Sequence, residues 1–272
     1  MTLYVSDLDG TLLDNEGQLP NEAAEIINGL MDKGLQFTYA TARSFSSAGK
    51  ITSALKLKLP VITYSGVVVG DGVTMRYEMP PKAELANLFQ ALEREKIAPL
   101  VYAVIGGKER CSWIRGLETH GIQNYVRSRD GNERMRPVES FAALFEGEIF
   151  YFSHIGTKEQ MQRAKELFAA APVLNAHIQQ DTYFPEDFWM EAFSAGANKA
   201  CAVQMLKKQL GADKLVCFGD NLNDIPMFKV ADECYAVENA CEEVKKRATA
   251  VISSNEEYGV AKWLHERAKK DS

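Results

Sequence analysis

Two acidic segments, near opposite ends of the chain, each follow a short and mostly apolar stretch. The first reads DLDGTL at positions 7–12 and follows LYVS, and the second reads GDNLND at positions 219–224 and follows LVCF. Side chains alternate across a strand, so Asp7 and Asp9 are expected to point the same way. Two carboxylates that face one pocket repel each other unless a cation or a shared proton relieves them. The first segment therefore predicts either a cation or a shared proton close to the end of a strand.

The second segment places Asp220 directly after its apolar stretch and Asp224 near the expected start of a helix. With Asp7 and Asp9, these residues would form a site of hard oxygen ligands that suits Mg²⁺. Ordinary structural roles stay open, because Asp and Gly often end a strand in a turn and Asn and Asp often cap helices. Helix capping accounts well for one acidic residue of the second segment, but it accounts less well for the segment as a whole.

A lysine and a hydroxyl group could act as partners for a phosphate. Lys199 falls at the expected start of a helix, where the helix dipole disfavours a cation. It is either a surface residue or a cation aimed at the charge of a phosphate or a nucleophile. Thr41 lies between a strand that ends at Ala40 and a following helix, a position that favours anions. Gly66 and Gly70 are interpreted as turn glycines around a short hairpin, because the GK[ST] ending of a phosphate loop is missing.

Composition and charge exclude several classes of function. The 272 residues carry a net charge of -6, so the basic footprint expected for nucleic acid is absent. A phosphorylated substrate would then need a metal or locally placed cations. The five cysteines show no CxxC spacing, which favours neither a disulfide framework nor a zinc site. No stretch approaches the roughly 20 apolar residues of a membrane span, and the N-terminal apolar run is too short for a signal peptide, so a cytoplasmic protein is expected.

Strand and helix patterns alternate at the start of the chain, which argues for a parallel sheet with helices on its faces. The rhythm changes at Pro80-Pro81, because two prolines cannot continue a helix or a central strand. The segment beyond them mixes helices with short strands, and the alternation returns from about Asn198. The predicted domains are an α/β core of residues 1–80 and 191–272 and an inserted α+β domain of residues 81–190.

Together, these motifs resemble those of the haloacid dehalogenase-like hydrolases, and specifically their Cof-type branch of sugar-phosphate phosphatases. The first motif of the family, DxDGT, matches residues 7–11 completely, and the fourth, GDxxND, matches residues 219–224. The second motif, usually TGR, falls on TAR at residues 41–43, and the lysine of the third falls on Lys199. Where the branch commonly has Asn-Gly, this chain has Ser-Gly at residues 65–66. The resemblance implies a Rossmann-like parallel core with an inserted α+β cap domain.

The resemblance also implies a mechanism and a set of site residues. Asp7 would attack phosphorus and become phosphorylated, while Asp9 would protonate the leaving alcohol and then activate water. The expected Mg²⁺ ligands are the Asp7 side chain, the Asp9 carbonyl and Asp220, with Asp224 in support. Lys199 is expected to be catalytic. The residues expected to bind the substrate phosphate are Thr41, Ala42, Lys199 and Asn223.

The implied reaction is hydrolysis of a small phosphate monoester, with a sugar phosphate as the expected substrate and neither nucleic acid nor a membrane as a partner. Three alternatives stay open: a phosphomutase of the same superfamily, a phosphoaspartate switch and a non-catalytic sugar-phosphate binding protein. Candidates for contacts to the rest of the substrate are Trp113, Arg115, Glu186 and Trp189. Ordinary packing or solvation would also account for each of these four.

Overall fold

The computed structural model describes residues 1–180 and 186–271. The chain divides into two compact units. The first, here called the split unit, combines Met1–Tyr77 with Ala197–Ser272, and the second, called the inserted unit, is Glu78–Gly196. Their roles as catalytic core and cap stay predictions, and so do the domain boundaries near residues 80 and 190.

The first segment of the split unit alternates strands with helices and ends in a small antiparallel sheet, β3-β4-β5. In α1, Ala23, Ile27 and Leu30 are buried at helical spacing, and a left-handed Gly34 with φ of +102° follows the end of the helix. The elements are β1 (Thr2–Ser6), α1 (Asn21–Asp32), β2 (Gln36–Tyr39), α2 (Phe45–Ile51), β3 (Val61–Thr63), a 3₁₀ turn (Tyr64–Gly66), β4 (Val68–Gly70) and β5 (Met75–Tyr77).

The inserted unit is a six-stranded sheet in the order β10-β11-β9-β6-β7-β8, antiparallel except where β7 meets β8. Its apolar core packs helices against strands, as where Phe152 of β9 meets Phe168 of α6 with ring centroids 5.1 Å apart. The elements are a 3₁₀ turn (Lys82–Leu85), α3 (Ala86–Glu95), β6 (Leu100–Ile105), β7 (Lys108–Ile114), α4 (His120–Arg127), β8 (Met135–Val138), α5 (Phe141–Leu144), β9 (Glu148–Gly156), α6 (Lys158–Ala169), β10 (Leu174–Gln180) and β11 (Phe188–Ser194).

The second segment of the split unit returns to strict alternation of helix and strand. Its first helix ends at Leu210 and is capped by Gly211, whose φ of +65° is the left-handed conformation that glycine adopts without steric cost. The elements are α7 (Lys199–Leu210), β12 (Lys214–Gly219), a 3₁₀ turn (Leu222–Asp224), α8 (Ile225–Val230), β13 (Glu233–Val237), α9 (Glu242–Lys245), β14 (Ala250–Ile252) and α10 (Gly259–Asp271).

The main sheet of the split unit is parallel, in the order β14-β13-β12-β1-β2. Its central strands β1 and β12 pair with each other, with Ser6 opposite Phe218. Both strands are mostly apolar and buried, as expected for a parallel sheet that is covered on both faces. The chain passes from β1 outward to β2 and later returns on the other side of β1 as β12. Strand order therefore reverses between β1 and β12, and ligands bind open sheets beyond the carboxyl ends of the strands at such a reversal.

The predicted fold class, a parallel α/β core with an inserted α+β segment, is confirmed. The helix expected after Thr41 is α2, which spans Phe45–Ile51. Several short elements had no counterpart in the sequence pattern, among them α4, β8, α9 and β14. Each spans at most eight residues, too few for an apolar period to stand out from chance.

Among residues 1–180 and 186–271, every helix is too short or too polar to cross a membrane.

Candidate active site

Asp7 lies one residue beyond β1, at the reversal of strand order. Its backbone N–H donates to the carbonyl of Phe218 in β12 at 2.9 Å, so the residue stays tied to the neighbouring strand after β1 ends. The side chain is only 5% exposed. A carboxylate this deeply buried requires a partner, because an unpaired buried charge is strongly unfavourable.

That partner is the ammonium group of Lys199, the first residue of α7. It donates to Oδ1 of Asp7 and to Oδ1 of Asp224, both at 2.7 Å, and the side chain is 2% exposed. The helix begins here because Asn198 caps it by accepting from the Cys201 amide at 2.8 Å. The two carboxylates offset the dipole that disfavours a cation at a helix start, so the interpretation as a surface lysine is wrong.

The second acidic segment is held by its own backbone. Oδ2 of Asp224 accepts from the amides of Asp220 and Asn221, at 3.0 and 3.1 Å, which closes the 3₁₀ turn after β12. Oδ1 of Asp220 accepts from the hydroxyl of Thr11 at 2.8 Å, joining the first acidic segment to the second. Both predicted segments therefore meet at one edge of the sheet, and the capping role of Asp224 coexists with its contact to Lys199.

Carboxylate oxygens of Asp7, Asp220 and Asp224 lie within 4.8 Å of one another. Burial and then the nearby charge of Asp224 raise the pKa of Asp7 well above its ordinary value, although Lys199 opposes this. The same two causes raise the pKa of Asp220 to about 6. Burial alone would lower the pKa of Lys199, but Asp224 and Asp7 outweigh it and raise the pKa, so the ammonium stays charged.

This donor set fits a divalent cation. Three carboxylates near one ammonium leave an excess of negative charge, and after burial the charge of Asp224 is the next cause that raises the pKa values of Asp7 and Asp220. A small divalent cation with oxygen ligands would relieve it, and Mg²⁺ is commonly held by one or two carboxylates, waters and a phosphate. Among the described residues, the side chain of Asp9 is not part of this group, and the role of its carbonyl as a ligand stays a prediction.

Asp9 has a different partner from Asp7. Nε of Arg43 donates to its Oδ2 at 2.8 Å and Nη2 to its Oδ1 at 2.5 Å, a bidentate, side-on pair between guanidinium and carboxylate. The Asp9 side chain is 48% exposed. Because β1 ends at Ser6, the strand alternation from which Asp7 and Asp9 were expected to point the same way does not extend to residue 9, and Asp9 pairs with Arg43 while Asp7 pairs with Lys199.

Of the four predicted phosphate-binding residues, Lys199 begins α7, Thr41 and Ala42 lie on the loop that follows β2, and Asn223 lies in the 3₁₀ turn that follows β12. Thr41 is buried, and its hydroxyl accepts from the Arg43 amide at 3.1 Å. Ala42 is half-buried and Asn223 is exposed. Their roles toward a phosphate stay predictions.

Sequence reasoning missed two residues of this site, Arg43 and Thr11. Both lie within motifs that the sequence analysis identified, TAR and DLDGTL. The sequence did not indicate which residues they would contact. The pairing of Arg43 with Asp9 links residues 34 positions apart, and that of Thr11 with Asp220 links residues 209 apart. Only the folded backbone specifies such contacts.

Of the four candidates in the inserted unit, one is explained by packing. Trp113 is buried, and its indole N–H donates to Glu118 at 3.2 Å. Arg115 and Glu186 are exposed, and Trp189 is half-buried. Contacts from the last three to a substrate stay predictions.

Comparison with known proteins agrees with the geometry. The chain matches the sequence profile of the haloacid dehalogenase-like hydrolases over residues 4–264. It belongs to this family. As a haloacid dehalogenase-like hydrolase, the protein is an enzyme, and the resemblance seen in its motifs is confirmed. Phosphatase YwpJ of Bacillus subtilis (strain 168) is 27% identical over 291 residues, which cover 97% of this chain and 99% of YwpJ.

Solved structures share the fold of this hydrolase across its length. TM0651 from Thermotoga maritima superposes with a TM-score of 0.80 at 23% identity, covering 97% of this chain and 96% of TM0651. The HAD subclass IIB sugar phosphatase BT4131 superposes with a TM-score of 0.70 at 20% identity, covering 98% of this chain and 99% of BT4131. At these identities the likeness establishes the fold alone.

Proposed function

We propose that this hydrolase is a magnesium-dependent phosphatase that cleaves small phosphate monoesters through a phosphorylated Asp7. The observation that carries the proposal is the buried ammonium of Lys199 between the carboxylates of Asp7 and Asp224, at 2.7 Å from each. A lysine and three carboxylates at the carboxyl end of a parallel sheet suit a phosphate dianion and its cation. A structural ion pair would need only one carboxylate.

Asp7, Asp220 and Asp224 are the side chains that would hold magnesium, with the carbonyl of Asp9 as a further ligand. The bound cation would supply positive charge beside a phosphate and favour the ionised form of Asp7. Lys199 would then be able to turn from Asp224 toward the phosphoryl oxygens while it keeps its contact with Asp7.

Asp7 is the proposed nucleophile. One of its carboxylate oxygens forms a bond to phosphorus as the bond between phosphorus and the leaving oxygen breaks, which gives an aspartyl-phosphate. Water then attacks phosphorus, releases inorganic phosphate and restores the carboxylate. Lys199 orients the carboxylate before attack and stabilises charge on the phosphoryl oxygens, with support from Thr41, Asn223 and the amide of Ala42.

Asp9 is the proposed general acid and base. It gives a proton to the leaving alcohol in the first step and removes one from the attacking water in the second. The pair with Arg43 suits the ionised form that is needed in the second step. Donation in the first step requires the protonated carboxyl group to leave Arg43, and its 48% exposure leaves room for that movement.

Sugar phosphates are the proposed substrates. Support comes from the sugar phosphatase BT4131, which shares the fold, and from relatives called phosphatases that match nearly the whole chain. The net charge of -6 offers no general attraction for a polyanion such as nucleic acid. Residues of the inserted unit, among them Trp189, are proposed to select the sugar.

The direct test is phosphate release from an aryl phosphate, with and without magnesium. Turnover should need the cation, stop with a chelator and return when magnesium is added back. Full activity after exhaustive removal of metal would overturn the magnesium requirement. Absence of phosphate release from a panel of aryl and sugar phosphates would overturn the proposed function.

The same panel separates hydrolysis from phosphoryl transfer. A phosphatase converts a labelled sugar phosphate into free sugar and inorganic phosphate. A mutase moves the label to another position of a sugar and releases little phosphate. We expect inorganic phosphate as the main labelled product, and label retained on sugar would favour the mutase.

A further inference from the structure

Three consecutive residues after β3 have left-handed backbone conformations. Tyr64 has φ of 50°, Ser65 has φ of 57° and Gly66 has φ of 101°. Such angles are uncommon outside glycine and cost about 1 kcal/mol or more for an ordinary residue. Two non-glycine residues held this way in succession indicate that the surrounding structure requires the conformation.

The turn contacts the loop that follows β2. The amide of Ser65 donates to the carbonyl of Thr41, and the amide of Tyr64 donates to the carbonyl of Arg43, both at 3.0 Å. These bonds attach the turn to both ends of the TAR motif, at Thr41 and Arg43. The left-handed conformation directs two successive amides at that loop.

Gly66 contacts the start of α7 on the other side. A methyl group added to Gly66 would overlap the carbonyl group of Asn198 and lie 2.8 Å from the Lys199 amide nitrogen. Real side chains essentially never come so close, so a residue with a Cβ would have to push this peptide away. The backbone of Lys199 is therefore set by direct contact with Gly66.

We propose that the turn Tyr64–Gly66 is a positioning element for the active site, and that glycine at position 66 places Lys199 against Asp7. The inference rests on the proposed function, because it assigns Lys199 a part in phosphoryl transfer. The ammonium must reach two carboxylates at 2.7 Å each, which leaves little tolerance for movement of its backbone. Gly66 acts through Lys199 and touches no reacting atom.

The test is Gly66→Ala, with Gly34→Ala as a matched control. Gly34 has φ of +102°, nearly the same as the +101° of Gly66, but an added methyl group would meet nothing within 4 Å. Gly34 also precedes β2, at the edge of the sheet away from the carboxyl ends. Both variants suffer the strain of alanine in a left-handed conformation, and only Gly66→Ala pushes on Lys199.

Turnover of an aryl phosphate is measured first, well below the melting temperature of each variant. A displacement of about 1 Å at a catalytic group lowers the rate by about 100-fold, so we expect that loss in kcat for Gly66→Ala with little change in KM. Gly34→Ala should keep the kcat of the wild type.

Binding of orthovanadate in the presence of magnesium, measured by calorimetry, then tests whether Gly66 acts through Lys199. Gly66→Ala should weaken binding in the wild-type background and have no effect in a Lys199→Ala background. An equal loss in both backgrounds would overturn the inference. So would a Gly66→Ala enzyme with wild-type kcat, or a Gly66→Ala chain that fails to fold while Gly34→Ala folds. A wild-type enzyme without phosphatase activity would instead count against the proposed function.

Discussion

Asp7 and Asp9 are two positions apart, yet the fold gives them opposite surroundings. Asp7 is buried against the ammonium of Lys199, whereas Asp9 is half-exposed and paired with Arg43. Paired carboxyl groups divide the work of a reaction when their environments differ in this way. The buried carboxylate is suited to attack in a fixed orientation, and the exposed one is suited to exchange protons with an alcohol and with water.

Replacing Asp9 by asparagine should separate catalysis from metal binding. General acid-base catalysis contributes about 100- to 10,000-fold, so Asp9→Asn should lower kcat by that order. Magnesium affinity, measured by calorimetry, should stay unchanged, because the expected ligand is the backbone carbonyl. Asp32→Asn, at the end of α1, is the control for a lost carboxylate. A variant that keeps wild-type kcat would remove Asp9 from the mechanism.

His154, in β9 of the inserted unit, should make stability fall in mild acid. The side chain is 4% exposed, Nδ1 has no hydrogen-bond partner among the described residues, and burial lowers the pKa to about 4. The unfolded chain binds a proton near its ordinary pKa of about 6.5, so stability from this residue is complete above that pH. It is lost as pH falls from about 6.5 toward 4, because the unfolded state then holds the extra proton.

The measurement is urea unfolding of the wild type and His154→Leu at pH 7 and pH 5. At about 1.5 pH units below the unfolded pKa, His154 should lower the free energy of unfolding of the wild type by about 2 kcal/mol. The total decrease between pH 7 and pH 5 should therefore be smaller by that amount in His154→Leu than in the wild type. Other groups titrate in both proteins and cancel in the comparison. Equal losses in the two proteins would show that His154 is not buried in its neutral form.

At the scale of elements, the start of α7 connects folding to the site. Its N-cap, Asn198, accepts from the Cys201 amide, its first residue is Lys199, and Gly66 packs on the peptide between the two. The carboxyl ends of β1 and β12 bring Asp7 and Asp220 to the same place from the other side. β1 is distant in the chain from α7 and β12, and the fold brings residues from all three elements to one site.

Removing the cap should cost stability and activity together. Loss of an N-cap side chain costs about 1 kcal/mol, so Asn198→Ala should lower the free energy of unfolding by that amount in urea titrations. The helix start that carries Lys199 would fray, and kcat should fall with it. Asn198→Asp keeps an acceptor and should retain stability. If Asn198→Ala has the wild-type stability and kcat, the cap does not hold the lysine.

At the scale of the whole molecule, the sequence predicts the parts of the site that adjoin regular elements. Apolar stretches before DLDGTL and GDNLND are enough to place Asp7 and Asp220 at strand ends, and helix periodicity places Lys199. The left-handed turn at residues 64–66 and the pairing of Asp9 with Arg43 have no local signal. They depend on loop conformations that are set by distant neighbours.

The split unit also explains why segments from both ends of the chain are needed for the proposed chemistry. Residues 1–77 supply Asp7 and Asp9, and residues 197–272 supply Lys199, Asp220 and Asp224. The two segments join through the parallel pairing of β1 with β12. The proposed catalysis therefore requires strands far apart in sequence to pair, and neither segment alone supplies all of the proposed site residues.

The central claim is that Asp7 carries the phosphoryl group during turnover. The most direct measurement is mass spectrometry of the enzyme quenched in acid during reaction with an aryl phosphate and magnesium, followed by peptide mapping. A phosphoryl group should be found on Asp7, it should be absent without magnesium, and Asp7→Asn should show neither the adduct nor turnover. A phosphoryl group on another residue, or undiminished turnover by Asp7→Asn, would contradict the account.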